Sequence, residues 1–158
     1  MQLRGTVTSG LGRASVFMAQ PHYQDQFKEL FDQTAWPGTL NVQVENDVLV
    51  QYIALRKLSG IDTLDADASL RELSLQIDTT NFEAIRIRGF LRDGVSFGGA
   101  TAFLGNISHN DISVDCAVLI PDLTRHVDVI EIISPLFLRE MLNVHDDDEV
   151  RIEIYSRV

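Results

Sequence analysis

Hydrophobic and polar residues alternate along several short stretches of the chain, a pattern that is typical of half-buried β-strands. Turn-forming residues separate these stretches, as in Trp36-Pro37-Gly38 and in the hairpin turn Arg92-Asp93-Gly94. The alternation predicts nine strands, at residues 3–8, 15–19, 39–45, 48–53, 83–91, 97–104, 112–120, 127–133 and 149–155.

Three other segments carry helical signals. Hydrophobic residues recur with helical spacing over 22–33, which predicts an amphipathic helix. Asp67 is a suitable N-cap for a short helix over 68–73. Ser134 and Pro135 predict the start of a third helix that runs to about residue 142, because serine caps helices and proline suits their first position.

Many short strands without a regular β-α-β alternation predict a mainly β barrel with a few helices on its outside. The 158 residues suggest one domain, and no linker or repeat divides the chain. A domain of this size can bury a sufficient core without disulfides. We therefore expect a single barrel domain over 1–158.

Composition narrows the possible partners. The formal net charge is −10, which disfavours nucleic-acid binding because such binding needs many contacts between basic residues and phosphates. No apolar run approaches the roughly 18 residues of a membrane span, and no signal-peptide pattern opens the chain. We expect a cytoplasmic protein with no membrane association, and nothing indicates a protein partner.

Cys116 is the single cysteine, and it shares one face of a predicted strand with apolar residues. This position predicts a buried thiol, with a catalytic nucleophile as the alternative.

Gly10 and Gly12 flank Leu11 directly after the first predicted strand. Glycines let a ligand approach the backbone, and consecutive N–H groups in such a turn can hold a phosphate. The alternative is an ordinary glycine-containing hairpin turn.

Thr39 and Asn41 lie two residues apart, so both side chains point to one side of their predicted strand. Leu40 and Val42 point to the other side, which we expect to be the core. Two neutral oxygens at this spacing suit Mg²⁺, which often takes few protein ligands and completes its octahedron with water and phosphate. The alternative is the solvent-facing side of a half-exposed strand.

Glu131 shares a predicted strand face with Val129 and Ile133. A carboxylate on an apolar face costs free energy unless a partner bonds to it, which suggests a functional group; an exposed strand end is the alternative. His126, in the preceding loop, is either a loop hydrogen-bonding residue or part of a site. Arg139, in the predicted third helix, either pairs with Glu140 at the surface or contacts a ligand.

Six stretches in this order resemble the archaeal CTP-dependent riboflavin kinase family. They are SGLG (9–12), PGTLNV (37–42), DCAVLIP (115–121), TRH (124–126), IEIISPLFLRE (130–140) and DDDEVRIEIY (146–155). The resemblance implies a six-stranded cradle-loop β-barrel that phosphorylates riboflavin to FMN with CTP, rather than ATP, as the donor.

The resemblance also implies roles for individual residues. Thr39 and Asn41 would bind magnesium, and Thr124 and Glu131 would contact riboflavin. The nucleotide would be held by Gly10, Leu11, Gly12, Arg13, Ala14, Ser15, Leu136, Phe137, Leu138 and Arg139.

A desolvated Glu131 would have a raised pKa and could accept the proton of the ribityl hydroxyl, which makes it the candidate general base. An alternative function is a catalytically weak barrel that binds a flavin or nucleotide as a sensor. The feature that favours it is Arg13-Ala14, where the family usually has Glu-Gly. A DNA-binding regulator is a third possibility, which the negative charge disfavours.

Overall fold

A computed structural model describes residues 1–10, 14–124 and 126–157. Its elements, in chain order, are β1 Gln2–Thr8, α1 Ala14–Met18, α2 Pro21–Phe31, β2 Leu40–Gln43, α3 Asn46–Leu58, α4 Ala68–Ser74, β3 Ile85–Ile87, β4 Phe90–Arg92, β5 Val95–Phe97, β6 Ala100–His109, β7 Ile112–Pro121, β8 Val129–Ile133, α5 Leu138–Met141 and β9 Glu149–Ile154.

Six of the strands close into an antiparallel barrel. Their order is β6-β7-β8-β2-β1-β9, and β9 pairs with β6 to complete the circle. β3 lies outside the barrel against β6, and β4 pairs only with β5 in a separate hairpin. The predicted six-stranded, mainly β barrel with flanking helices is confirmed. The extent of the domain over 1–158 stays a prediction.

Alternate side chains of the barrel strands fill its interior. On β7 these are Val114, Cys116, Val118 and Ile120, and α3 adds Tyr52 and Leu55 to the same apolar cluster. Burial raises the pKa of the Cys116 thiol far above its ordinary value, so the thiol stays protonated. The predicted buried thiol is confirmed, because a protonated thiol in the core cannot serve as a nucleophile.

A second apolar cluster lies on the outside of the barrel wall. Tyr23 and Phe27 of α2 pack there against Ala102 of β6 and Ala117 of β7. The small alanine side chains leave room for the aromatic rings, so α2 can lie close to the strands. The predicted amphipathic helix over 22–33 is thus confirmed as α2, which ends where Asp32 adopts a positive φ of 61°.

Two predicted strands are helices. Residues 15–19 lie almost wholly in α1, and residues 48–53 lie within α3. Short apolar runs do not distinguish a buried strand from a buried helix by periodicity. In α3, consecutive side chains from Tyr52 to Arg56 are all buried, which removes the one-sided pattern of a surface helix.

Two further predicted strands are each divided by glycine. The segment 83–91 breaks at Gly89 into β3 and β4, and the segment 97–104 breaks at Gly98-Gly99 into β5 and β6. A side chain at Gly89 would collide with the backbone of Phe97 and Gly98, so the two chain segments can cross here only without it. The predicted turn at Asp93-Gly94 is confirmed, with φ values of 51° and 77°.

Of the two other predicted helices, one is confirmed and one is shorter than expected. The Asp67 carboxylate accepts the N–H groups of Ser69 and Leu70 and so caps α4. Ser134, by contrast, does not begin a helix. Its hydroxyl donates to the Asp115 carbonyl at 2.8 Å and fastens the end of β8 to β7, and α5 starts only at Leu138.

Among the described residues, none of the helices combines the length and the apolar character needed to cross a bilayer.

Arg56 of α3 is a buried arginine whose side chain is only partly hydrogen-bonded. The residue is 1% exposed, and its Nη2 atom lies 3.1 Å from Asp65, whose side chain is 47% exposed. Its Nε and Nη1 atoms have no partner in the described part of the chain. We expect Arg56→Met to raise the free energy of unfolding by about 1–3 kcal/mol, because it removes a costly buried cation and leaves Asp65 hydrated.

Urea unfolding measures this change. The control is Arg86→Met, which removes an arginine that pairs with Asp122 at the surface and should change the free energy of unfolding by about 1 kcal/mol or less. A less stable Arg56→Met variant would contradict the prediction.

Candidate functional site

Three strands bring polar side chains together on the outside of the barrel wall, and a fourth adds an apolar neighbour. Thr8 of β1 lies opposite Asn41 of β2, Asn41 lies opposite Glu131 of β8, and Glu131 lies opposite Leu119 of β7. Because side chains alternate along a strand, neighbours in register share one face. The sequence-predicted residues Asn41 and Glu131 are therefore adjacent.

Two compartments open over this face. The first, which we name the polar compartment, has a volume of about 410 Å³. Its lining is Thr8, Ser9, Gly10, Ala14, Ser15, Gly38, Thr39, Asn41, Gln43, His126, Val129 and Glu131. Hydroxyl and amide side chains are frequent among these residues, while apolar carbon atoms make up the larger part of the exposed surface.

The second, the aromatic compartment, has a volume of about 550 Å³. Its lining is Ala14, Phe17, Met18, Tyr23, Phe27, Thr39, Ile87, Gly98, Gly99, Ala100, Leu119, Pro121, Leu123 and Glu131. The two compartments share Ala14, Thr39 and Glu131. They are therefore neighbours, and Glu131 contributes to the wall of both.

The candidate metal ligands Thr39 and Asn41 lie side by side in the polar compartment. The Thr39 hydroxyl donates to Asn41 Oδ1 at 2.9 Å, and Asn41 is buried. Neighbouring oxygens of a magnesium octahedron with bonds of about 2.1 Å are about 3.0 Å apart. The spacing of the two oxygens therefore suits adjacent positions around one Mg²⁺ ion.

Gly10 holds the first turn against this pair. A side chain at Gly10 would collide with Nδ2 of Asn41. Because glycine has no side chain, the backbone at this position can contact the Asn41 amide. No group of three His, Cys, Asp or Glu side chains that could hold a metal occurs among the described residues. A metal site among the described residues would therefore need ligands besides these four residue types, such as the neutral oxygens of Thr39 and Asn41.

Glu131 is the one carboxylate that both compartments share. Burial raises its pKa above the ordinary glutamate value, and the positive charge of His126 opposes this effect. The predicted exposed-strand alternative is contradicted, because β8 lies inside the sheet between β2 and β7. A carboxylate of raised pKa at the junction is suited to accept a proton from a bound hydroxyl group.

The predicted nucleotide-binding residues that the structure describes lie in two places, the first turn with α1 and the segment 136–139. Gly10, Ala14 and Ser15 line the polar compartment. Leu11, Gly12 and Arg13 lie outside the described residues. Ala14 is the first residue of α1, and alanine favours a helical conformation.

Arg139 connects α5 to the turn after β1. Its Nη2 atom donates to Asp146 at 2.8 Å, and the Ser9 hydroxyl donates to the other Asp146 oxygen at 2.5 Å. These hydrogen bonds, with Ser9 the largest cause, lower the pKa of the Asp146 carboxyl. Arg139 therefore pairs with Asp146 rather than with Glu140.

A third, smaller space lies next to the polar compartment. It has a volume of about 40 Å³ and is lined by Trp36, Gly38, Leu40, Ile132, Ser134, Leu136, Phe137, Leu138 and Arg139. We name it the α5 cavity. It shares Gly38 with the polar compartment, so these two spaces are neighbours.

Thr124 is the described predicted site residue that lines none of these three spaces. Its hydroxyl accepts the His126 N–H at 3.2 Å, while its neighbour Leu123 reaches the aromatic compartment. A role for Thr124 in substrate binding stays a prediction.

Sequence reasoning missed most of the aromatic compartment. Phe17 lies in the predicted strand 15–19, whereas α1 presents it to the compartment, and the predicted helix over 22–33 does not indicate that Tyr23 and Phe27 line a space. The available signal was the helical spacing of Tyr23 and Phe27, which showed a buried face without showing that a space lies over it.

Comparison with known proteins gives a consistent result. Residues 7–73 and 62–154 match the family model CTP-dep_RFKase, which is described as a domain of unknown function, DUF120. The chain is 34% identical to the riboflavin kinase of Thermoplasma acidophilum over 154 residues, which cover 98% of this chain and 57% of that protein.

Two other relatives give similar values. The riboflavin kinases of Thermofilum pendens and Halobacterium salinarum are each 33% identical over 98% of this chain. The matches cover 59% and 57% of those two proteins. The chain thus spans less than two thirds of the length of these relatives.

The burial of Glu131 predicts a pH-dependent effect on stability. Because its pKa is raised in the folded state, ionisation of Glu131 removes stability as the pH rises through that pKa. Glu131→Gln carries no such charge. We therefore expect the variant to exceed the wild type in melting temperature at neutral pH, with a difference that shrinks toward about pH 4.

Thermal unfolding across this pH range measures the difference. The exposed Glu83→Gln is the matched control and should follow the wild type throughout. A Glu131→Gln variant that is less stable than the wild type at neutral pH would show that the carboxylate has a stabilising partner.

Proposed function

We propose, because the chain belongs to the CTP-dependent riboflavin kinase family, that it transfers the γ-phosphoryl group of CTP to the ribityl 5′-hydroxyl of riboflavin. The products would be FMN and CDP. The relatives named riboflavin kinase support the acceptor, and the family name supports CTP as the donor.

The observation that carries the proposal is that two chemically different compartments lie side by side and share one half-buried carboxylate, that of Glu131. The polar compartment suits a triphosphate, whose oxygens accept hydrogen bonds from hydroxyl and backbone groups. The aromatic compartment suits the flat, largely apolar ring system of a flavin, and its volume lies within the usual range for ligand pockets. A flexible ribityl chain would then extend from the aromatic compartment toward Glu131.

Glu131 would act as the general base for this reaction. Its raised pKa increases its affinity for a proton, and it lines both compartments, so it would be near an acceptor hydroxyl in one and a donor phosphate in the other. Phosphoryl transfer depends mainly on positioning and on charge stabilisation, so a base at this point would assist a reaction that the geometry already favours.

Thr39 and Asn41 would hold the magnesium ion through their side-chain oxygens. When bound, magnesium neutralises charge on the phosphates of the donor. Gly10 would keep Asn41 in place, and Ser15 would contribute to the surface that faces the phosphates.

The other predicted nucleotide-binding residues would contact the phosphates at one end of the nucleotide and the base at the other. Leu11, Gly12 and Arg13 would complete the turn around the phosphates. The segment 136–139 would lie beside the base, since it lines the α5 cavity next to the polar compartment. A cytoplasmic location stays a prediction.

Formation of FMN tests the proposal directly. The protein is incubated with riboflavin, magnesium and each nucleoside triphosphate in turn, and the flavins are separated by chromatography. We expect FMN with CTP, little or none with ATP, and none when a chelator removes the metal. Tight riboflavin binding without FMN from any donor would contradict the kinase and favour the sensor alternative.

Glu131→Gln tests the proposed base. Loss of a general base lowers turnover by about 10²–10⁴-fold, whereas riboflavin affinity should change little because the amide keeps the shape of the side chain. His126→Gln should move the acid limb of the pH profile to higher pH, since it removes the charge that lowers the pKa of Glu131. Full turnover in Glu131→Gln would exclude the proposed role.

A further inference from the structure

Trp36 and Phe137 form a pair of stacked aromatic rings over the α5 cavity. Their ring centroids are 4.8 Å apart, with an angle of 21° between the planes. Both rings are partly exposed, at 46% for Trp36 and 38% for Phe137, so each keeps surface available for another flat group. Neither was identified as a stacking residue from the sequence.

The backbone holds Trp36 in this place. Its N–H donates to the Ser134 carbonyl at 2.9 Å, and its own carbonyl accepts the Gly38 N–H at 2.9 Å. A β-carbon at Gly38 would be 3.7 Å from Cδ1 of the indole and 3.8 Å from Nε1. The indole therefore lies along Gly38, the residue that the polar compartment and the α5 cavity share.

The size of the α5 cavity limits how a nucleobase could bind. Its volume of about 40 Å³ is roughly a tenth of the 410 Å³ of the polar compartment, so the cavity alone offers little room for a base. A base attached to phosphates in the polar compartment can instead lie on the exposed aromatic surface with one edge toward the cavity.

We propose that Trp36, supported by Phe137, binds the nucleobase of the phosphate donor by stacking. This inference rests on the proposed function, since it takes the polar compartment as the triphosphate site. Every base has an aromatic face, so stacking supplies affinity without selecting the base. Selection among bases then falls to groups at the mouth of the α5 cavity, where the edge of the base is directed.

The tryptophan also provides the measurement, because it is the only one in the chain. We expect CDP to quench the intrinsic fluorescence, since a stacked base contacts the indole directly. Inorganic tripolyphosphate, which has no base, should occupy the polar compartment without a comparable quench. Nucleotide that binds in calorimetry without changing the fluorescence would overturn the proposal.

Variants separate stacking from other effects. In Trp36→Ala, the affinity for CDP should fall about 5- to 150-fold, with unchanged affinity for tripolyphosphate and an unchanged KM for riboflavin. In Phe137→Ala, the affinity for CDP should also fall, but by a smaller factor. The matched control is Tyr155→Ala, which removes an aromatic ring of similar exposure, 44%, outside the three spaces.

The outcome remains separate from that of the kinase proposal. Wild-type FMN formation with an unchanged CTP KM in Trp36→Ala would overturn the stacking role and leave the kinase intact. Absence of both FMN formation and nucleotide binding in the wild type would overturn both. A thermal melt of each variant verifies that it is folded, and Trp36→Phe, which retains a ring, should recover part of the lost affinity.

Discussion

The constraint on which the site depends is the alternation of side chains along β8. Ile130 and Ile132 point into the barrel and are fully buried, so Glu131 between them must point outward. Residues of α1 and α2 lie over that outer face, and the carboxylate is partly desolvated there. One strand register therefore both fixes the core and places a group of raised pKa between two compartments.

The same wall explains why the polar and the apolar spaces are adjacent. β2 supplies the amide of Asn41 on one side of Glu131, and β7 supplies Leu119 on the other. The chemistry of the surface thus changes from hydrogen-bonding to apolar within three neighbouring strands. A substrate with a polar tail and a flat ring can span this boundary, because each part then contacts a surface of matching polarity.

Part of the fold could be predicted from the sequence, because strands such as β1 and β9 are exposed on one side and buried on the other. Asn41 and Glu131 could be identified for the same reason, since each departs from its surroundings along a strand. The sequence could not distinguish α1 and α3 from strands, because short apolar runs serve both structures. It also could not show the aromatic compartment, whose walls come from elements far apart in the chain.

Charge poses a separate problem in a chain of net charge −10. The described lining of the polar compartment contains no arginine or lysine, and Arg139 nearby is already paired with Asp146. Phosphates there would depend on a metal ion, on backbone N–H groups and on residues of the turn. This arrangement differs from the basic clusters that bind nucleic-acid backbones, and it limits attraction of unrelated polyanions.

The enclosed position of Cys116 has a practical consequence. It is the sole cysteine, and its thiol lies in the barrel interior in the protonated form, so thiol-directed reagents have no access to it while the protein stays folded. A cysteine introduced anywhere on the surface would therefore be the one site that accepts a fluorophore or spin label. Distances across the barrel wall can then be followed in solution with the native core left unaltered.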